Sequence, residues 1–346
     1  MTLGADVVLV TGAAGFIGFH VARRLLQQGR PVVGIDNLNA YYDPALKQAR
    51  LAELARHAAF RFERVDLADR DGMAALFAAH RPPYVVHLAA QAGVRHSLID
   101  PHAYADSNLL GFLNVLEGCR RNGCRHLLYA SSSSVYGGNT QVPFRTSDNV
   151  DHPLSLYGAT KKANELMAHA YAHLFSVPAT GLRFFTVYGP WGRPDMAMWR
   201  FTEAILQRKP IRLFNHGRMR RDFTYVDDAV EAVSRLIEHV PSADPAWSAP
   251  PNPATSLAPW RLYNIGNSDP VEVTEVVRLI EAELGIAAVR EFLPMQPGDV
   301  PETCADVSDI EAAIGFRPRT PIAAGVGHFV AWYRNYAPDH PTKTAT

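Results

Sequence analysis

Three glycines spaced Gly12-x2-Gly15-x2-Gly18 stand between the apolar run Val7-Val8-Leu9-Val10 and an apolar-periodic stretch through Val21, Leu25 and Leu26. That order restricts the start of the chain to a buried strand, a tight turn and a helix. Gly12 allows the turn, Gly15 lets the backbone approach a pyrophosphate, and Gly18 permits close helix packing. The amides around Ala14, Phe16 and Ile17 then face a phosphate at the helix N-terminus. A second strand, Pro31-Val32-Val33-Gly34-Ile35-Asp36, ends in a carboxylate eighteen residues beyond Gly18. With Asn37 beside it, Asp36 is placed to accept the ribose hydroxyls of adenosine and to repel a 2′-phosphate, which predicts NAD and not NADP. An ordinary loop acid is the other reading of Asp36.

Strand-like runs at Phe60 to Val65, Tyr84 to Leu88, Arg125 to Ser131 and Ala179 to Phe184 alternate with helical ones. Such alternation predicts an α/β fold with a doubly wound parallel sheet. The segment Tyr41 to His57 reads as an added surface helix carrying little chemistry. After Arg183 the pattern changes: Tyr188 to Pro194 is turn-rich, a helix runs to Gln207, and short strands surround Ile211 to Phe214 and Phe223 to Val226. This predicts a smaller mixed α/β C-terminal substrate lobe. The expected division is a dinucleotide domain over 1–185 with returning segments 224–240 and 260–268, and a lobe over 186–223 and 269–338. Residues 241–259, dense in Pro, Ala and Ser, read as a mobile surface loop, and Pro338 to Thr346 as a frayed tail.

A chain of 346 residues has room for one large core and a second lobe. Thirty-four basic residues balance thirty-four acidic ones, which gives no electrostatic reason to expect nucleic acid or an anionic membrane as partner. No apolar run approaches the roughly eighteen residues of a membrane span, and the chain enters a strand at once, so a cytoplasmic protein is expected. Cys119, Cys124 and Cys304 show no metal spacing and read as reduced structural thiols. His169 and His173 lie four apart without a third ligand, so no metal is expected.

Tyr157 and Lys161 are also four apart, in Leu156-Tyr157-Gly158-Ala159-Thr160-Lys161, which on a helix puts a phenol and an ammonium on one face. An adjacent ammonium favours phenolate, and an oxidised nicotinamide adds a second positive charge. Such a tyrosine is a general base for a hydroxyl. An exposed helix face is the alternative for that spacing taken alone.

Taken in order, the glycine triad, Asp36, Asp66-Leu67, His87-Leu88-Ala89-Ala90, Ser131 to Tyr136 and Tyr157-x3-Lys161 resemble the extended short-chain dehydrogenase/reductase family of nucleotide-sugar enzymes, over nearly the whole chain. Within it, Gln91 to Arg95, Ser131 to Gly137, Arg183 to Met196 and Arg220 to Tyr225 look closest to the bacterial UDP-glucuronate 4-epimerases. The resemblance implies a Rossmann-like fold with tightly held NAD, a UDP-sugar under the C-terminal lobe, and a helix-pair homodimer. It implies adenine contacts for Asp66 and Leu67, although Asp66 also reads as a helix cap and Leu67 as core. Leu88, Ala89, Ala90 and Gln91 would pass the cofactor's ribose and diphosphate. Arg221 would hold the UDP diphosphate, and Asp299 with Gln296 the uridine end, Gln296 standing where the family more widely has arginine. Arg95 and Phe214 complete the expected substrate set.

The same resemblance implies the chemistry. Tyr157 takes the O4 proton while C4 is oxidised to a 4-keto sugar, the ring turns over, and C4 is reduced on its other face; Ser132 hydrogen-bonds O4, and Lys161 binds the nicotinamide ribose. Dehydratases of the family carry an Asp-Glu pair after the catalytic serine or threonine, where this chain has Ser133 and Ser134. Those hydroxyls, with Thr186 and Arg193, are expected to hold a sugar carboxylate. Thr186 also reads as a strand end, and Arg193 as a partner for Asp195. The expectation is interconversion of UDP-glucuronate and UDP-galacturonate, with UDP-glucose 4-epimerisation or UDP-glucuronate decarboxylation as rivals.

Overall fold

In a computed structural model describing residues 6–248, 251–296 and 298–337, the first apolar run forms β1 (Val8–Thr11), buried along its whole length. It leads into α1 (Phe16–Gln27), β2 (Val32–Asp36), α2 (Pro44–Ala55), β3 (Phe60–Arg64), α3 (Arg70–His80) and β4 (Tyr84–His87). The next crossover is longer: α4 (Pro101–Tyr104), a π-helical stretch over Ala105–Leu110, and α5 (Gly111–Asn122). β5 (His126–Ser132), α6 (Leu156–Phe175) and β6 (Ala179–Phe184) continue the alternation. The second half holds β7 (Thr186–Tyr188), α7 (Ala197–Leu206), β8 (Ile211–Leu213), β9 (Arg220–Tyr225), α8 (Val226–Leu236) and β10 (Trp260–Ile265). It closes with β11 (Pro270–Glu272), α9 (Val273–Leu284), β12 (Arg290–Phe292), α10 (Ser308–Ile314) and α11 (Ile322–Tyr336).

Seven strands form one sheet in the order β10-β6-β5-β4-β1-β2-β3, and every neighbouring pair is parallel. Helices cover both faces, which is why β1, β2, β4 and β6 are buried at every residue and are largely apolar. β3 differs: Phe60 and Phe62 alternate with Arg61, Glu63 and Arg64, as suits an edge exposed to water. The chain leaves β1 for β2 and β3, then returns to place β4 on the other side of β1. This reversal opens a crevice beyond the carboxyl ends of β1 and β4, where Gly12 and Leu88 face each other.

The remaining strands make a smaller unit over that crevice, one sheet in the order β11-β9-β7 and a parallel pair β12-β8. Trp199 on α7 packs edge-on against Tyr333 of α11, with ring centroids 5.1 Å apart, and Trp332 stacks on Tyr336 at the same separation. α8 lies against α1, where Arg24 pairs with Glu231 and Arg30 with Glu238.

Two expectations need correcting. The helix α2 is no passive surface addition: its Lys47 and Arg50 are buried and bonded into the site described below. The stretch after residue 250 is not a free loop either, since Ala254, Thr255, Ser256 and Ala258 are buried. Leu262 N–H donates to Ala254 O at 3.0 Å, so this stretch covers the outer edge of β10, the last strand of the sheet. Pro338 to Thr346 lie outside the described residues. No helix of the described residues is long and apolar enough to cross a membrane.

Candidate active site

A cleft of about 1470 Å³ runs from the crevice between β1 and β4 to the smaller unit. At its floor, Gly12 has φ +70°, and a Cβ there would come within 2.8 Å of Ala89 N. Only glycine lets the turn after β1 pass so close to the turn after β4. A Cβ at Gly18 would collide with Gly12 O, so α1 could not start where it does. Gly15 is the N-cap of α1 and offers no side-chain acceptor, and the first turn holds no acid. The first amides of α1 therefore remain donors for an anion, and a dinucleotide diphosphate fits this cradle. Gly12, Gly15, Phe16, Ile17 and Gly18 line the cleft. Ala14 does not: it is fully buried, and its carbonyl accepts from Arg50 Nη1 at 2.8 Å. That bond ties the phosphate turn to α2.

Asp36 ends β2 with Oδ1 accepting from Leu38 N–H at 2.8 Å and from Lys47 Nζ at 3.4 Å. Lys47 also donates to Asn39 Oδ1 at 2.9 Å. Asn37 Nδ2 donates to Asp66 Oδ2 at 2.9 Å, joining the expected ribose and adenine residues into one wall. The helix-cap alternative for Asp66 does not hold, because the N-cap of α3 is Asp69, which accepts from Gly72 N–H. Leu67 is buried yet reaches the cleft. Leu88 to Gln91 form the opposite bank. Asn108, in the π-helical stretch, accepts from Gln91 N–H at 2.9 Å and donates to Gln91 O and to Thr160 Oγ1. It fixes the bank to α6, and an asparagine in an otherwise helical pattern gave no sign of this.

Ser155 caps α6 by accepting from Gly158 N–H at 3.0 Å, and the helix carries Tyr157 and Lys161 into the cleft. The Ser132 hydroxyl at the end of β5 lies near enough to the Tyr157 phenol to favour its ionised form, and the Tyr104 ring stands edge-on to it at 6.1 Å. Burial raises the phenol's pKa above its ordinary value, against the opposing effects of Ser132 and of the Arg193 charge. The expectation of a phenol held low by Lys161 is corrected: burial outweighs the groups that favour phenolate, and Lys161 is not among them. Lys161, 2% exposed, donates to Ala130 O at 3.0 Å, and burial lowers its pKa to about 8. Beneath them, Glu165 takes a bidentate pair from Arg183 and a hydrogen bond from Ser131, tying α6 to β5 and β6.

Ser133, Ser134, Thr186 and Arg193 line the same cleft. Arg193 Nε donates to Asp195 Oδ1 at 2.9 Å, so the partner foreseen as its alternative is present. Farther out, Arg221 Nη1 donates to Arg220 O at 2.9 Å and Pro301 O at 3.2 Å. Burial, together with Arg95 nearby, lowers its pKa despite the opposing charge of Asp299. Arg95 Nη2 donates to Asp299 Oδ2 at 2.8 Å while its guanidinium lies over the Phe214 ring at 4.4 Å. Gln296 and Asp299 close this end. The arrangement offers a glycine-lined cradle, a phenol with a hydroxyl beside it, and Arg193, Arg95 and Arg221 lining one cleft.

Residues 8–248 match the model of the NAD dependent epimerase/dehydratase family. A probable UDP-glucuronate 4-epimerase of Rhizobium meliloti is 48% identical over 338 residues, 96% of this chain and 99% of that protein. The structure of a UDP-glucuronic acid 4-epimerase from Bacillus cereus in complex with UDP-glucuronic acid and NAD superposes with a TM-score of 0.83 at 31% identity, covering 95% of this chain and 99% of that one. A UDP-glucose 4-epimerase from Thermotoga maritima with UDP-glucose gives 0.82 at 30% identity over the same shares. Backbone similarity therefore leaves the choice of sugar to the side chains.

Proposed function

The chain is a member of the NAD dependent epimerase/dehydratase family, and from that premise we propose that it interconverts UDP-glucuronate and UDP-galacturonate by inverting carbon 4 through a transient 4-keto sugar. Arg193 carries the choice of sugar: it places a positive charge within reach of Tyr157, in a cleft where serines and not carboxylates follow Ser132.

The hydrogen on C4 is not acidic until a neighbouring carbon is a ketone, so inversion proceeds by oxidation and re-reduction. NAD, when bound, supplies that reversible oxidation. The amides at the start of α1 would hold its diphosphate, Asp36 and Asn37 its adenosine ribose, Asp66 and Leu67 its adenine, and Lys161 its nicotinamide ribose. Leu88 to Gln91 would flank the path between these ends. Tyr157 takes and returns the proton at O4, and Ser132, beside the phenol, orients O4 and relays that proton. Arg221 and Arg95 hold the UDP diphosphate, with Phe214, Gln296 and Asp299 at the uridine end.

A 4-keto uronic acid is a β-keto acid, and it loses CO2 when the bond to its carboxylate aligns with the carbonyl π system. Ser133, Ser134, Thr186 and Arg193 hold the carboxylate out of that alignment. The absence of an Asp-Glu pair after Ser132 removes the acid–base groups that elimination would use.

The test is incubation with UDP-glucuronate and no added reductant, with UDP-sugars resolved by chromatography and CO2 trapped. A single isomeric product and no CO2 is expected, and Arg193→Ala should raise KM and release 4-keto pentose. Conversion of UDP-glucose but not UDP-glucuronate would move the assignment to the neutral sugar, and CO2 release from the unmodified protein would make it a decarboxylase.

We further infer a homodimer, supported by exposed Leu98, Ile99, Leu110 and Leu166 beside and on α6, with light scattering as its check. The free thiols of Cys119, Cys124 and Cys304 support a reducing compartment, the cytoplasm.

A further inference from the structure

Arg193 reaches the cleft already paired. Its Nε and Nη2 meet the two oxygens of Asp195, at 2.9 and 2.5 Å, and Tyr41 Oη donates to Asp195 Oδ2 at 3.3 Å. This fork-on-fork contact occupies one edge of the guanidinium, while Nη1 takes part in neither bond. The two residues are adjacent but one in the turn between β7 and α7, so the pair is built into the loop. Tyr41 anchors it to the opposite bank, where the same loop holds Asn39 and the Lys47–Asp36 contact. All of these side chains line the cleft.

The 4-epimerase reading, on which this inference rests, makes a specific demand. Both faces of C4 must be presented in turn to one hydride acceptor and donor while O4 stays within reach of Tyr157, so the ring turns, and the carboxylate on C5 must leave one set of contacts for another. A bare guanidinium, here partly buried, would hold that carboxylate through a charge-assisted pair, and turning would have to break it. Paired with Asp195, the unit is close to neutral. The carboxylate then meets an oriented donor edge and not an uncompensated cation.

We propose that Asp195, steadied by Tyr41, is a positioning residue that orients Arg193 and balances its charge, so that the sugar carboxylate is directed by the free guanidinium edge and released when the ring turns. Tight binding is given up for turnover.

Asp195→Asn keeps the shape and one acceptor but removes the charge. Steady-state kinetics on the NAD-loaded protein should show KM for UDP-glucuronate falling on the order of tenfold, with kcat falling as well because release of the carboxylate becomes slow. Tyr41→Phe should move both constants in the same direction by less. A folded Asp195→Asn protein with unchanged or raised KM would overturn the role of Asp195. Should Asp195→Asn fail to fold, Tyr41→Phe decides: joint falls support the proposal, and an unchanged KM refutes it. Failure of the unmodified protein to convert UDP-glucuronate would instead overturn the 4-epimerase reading itself.

Discussion

Lys161 shows how a residue needed for function is held at a cost to the fold. It is 2% exposed, it donates to Ala130 O, and burial brings its pKa from 10.5 to about 8. At neutral pH that shift corresponds to roughly 3 kcal/mol of unfavourable charge burial. Lys161→Met keeps the bulk and removes the charge, while losing the bond to Ala130 O returns about 1 kcal/mol of the gain. The variant should therefore melt several degrees above the unmodified protein in the absence of NAD, yet lose most of its activity. Between pH 8 and 10.5 the unfolded chain binds a proton at this lysine that the folded chain does not, so the stability of the unmodified protein rises with pH through that window relative to the variant. The advantage of Lys161→Met should be full below about pH 8 and fade toward 10.5, and thermal melts across that range check it. Spacing put Tyr157 and Lys161 on one helix face, because a helix turns in nearly four residues, and the neighbouring motifs were needed to set the pair apart from an exposed face. The direction of their titration was not legible, since it depends on how deeply the cleft buries them. Asp195 was visible only as a rival for Arg193, and the sequence does not say that Tyr41, more than 150 positions away, holds it.

Among the elements, α2 departs most from its sequence reading, and the reason is chemical. Its buried residues include Lys47 and Arg50, which pattern as solvent-facing positions, so the helix looked polar and external. Arg50 is fully buried and donates to Ala14 O at 2.8 Å, Tyr42 Oη at 2.7 Å, Trp191 O at 2.7 Å and Gly192 O at 3.3 Å. One guanidinium thus joins the phosphate turn to the loop that carries Arg193. Arg50→Leu strands those carbonyls without their donor and should cost about 3 kcal/mol or more. Because Ala14 lies in the cradle, NAD retention should weaken together with the melting temperature. Arg50→Lys should rescue neither fully, as a single ammonium cannot span carbonyls on two sides of the joint. Retention of NAD through gel filtration, beside a thermal melt, tests both; an Arg50→Leu protein with unaltered NAD content would show that the cradle stands without α2. The parallel sheet was legible for the opposite reason: its inner strands are buried on both faces, so they appear as short, largely apolar runs that no helix period explains.

Across the whole molecule, alternation of strands and helices announced a doubly wound sheet but not its order, because order depends on which crossovers run to which side of β1. Nor did it show that residues 254–258 would cover the edge of β10, since edge protection is a tertiary contact made by residues without a period of their own. The cleft spans these two scales. Its walls come from the main sheet, while its outer end is closed by a contact between the turn after β4 and the loop after β12, where Arg95 meets Asp299 at 2.8 Å. Side-chain exposures of 44% and 17% mean that water screens this pair, so its share in stability is below about 1 kcal/mol. Its position matters more than its strength. Arg95 stacks on Phe214 and lies close enough to Arg221 to lower that residue's pKa, so Asp299 also balances two cations gathered for a diphosphate. Replacing Asp299 by Ala should therefore leave the melting temperature within a degree or two and NAD content unchanged, while raising KM for the UDP-sugar because the uridine end loses an acceptor and the mouth loses its tie. Should the melting temperature instead fall sharply while KM stays constant, the Arg95–Asp299 contact would be a strut between the two units of the fold and not part of the substrate's path.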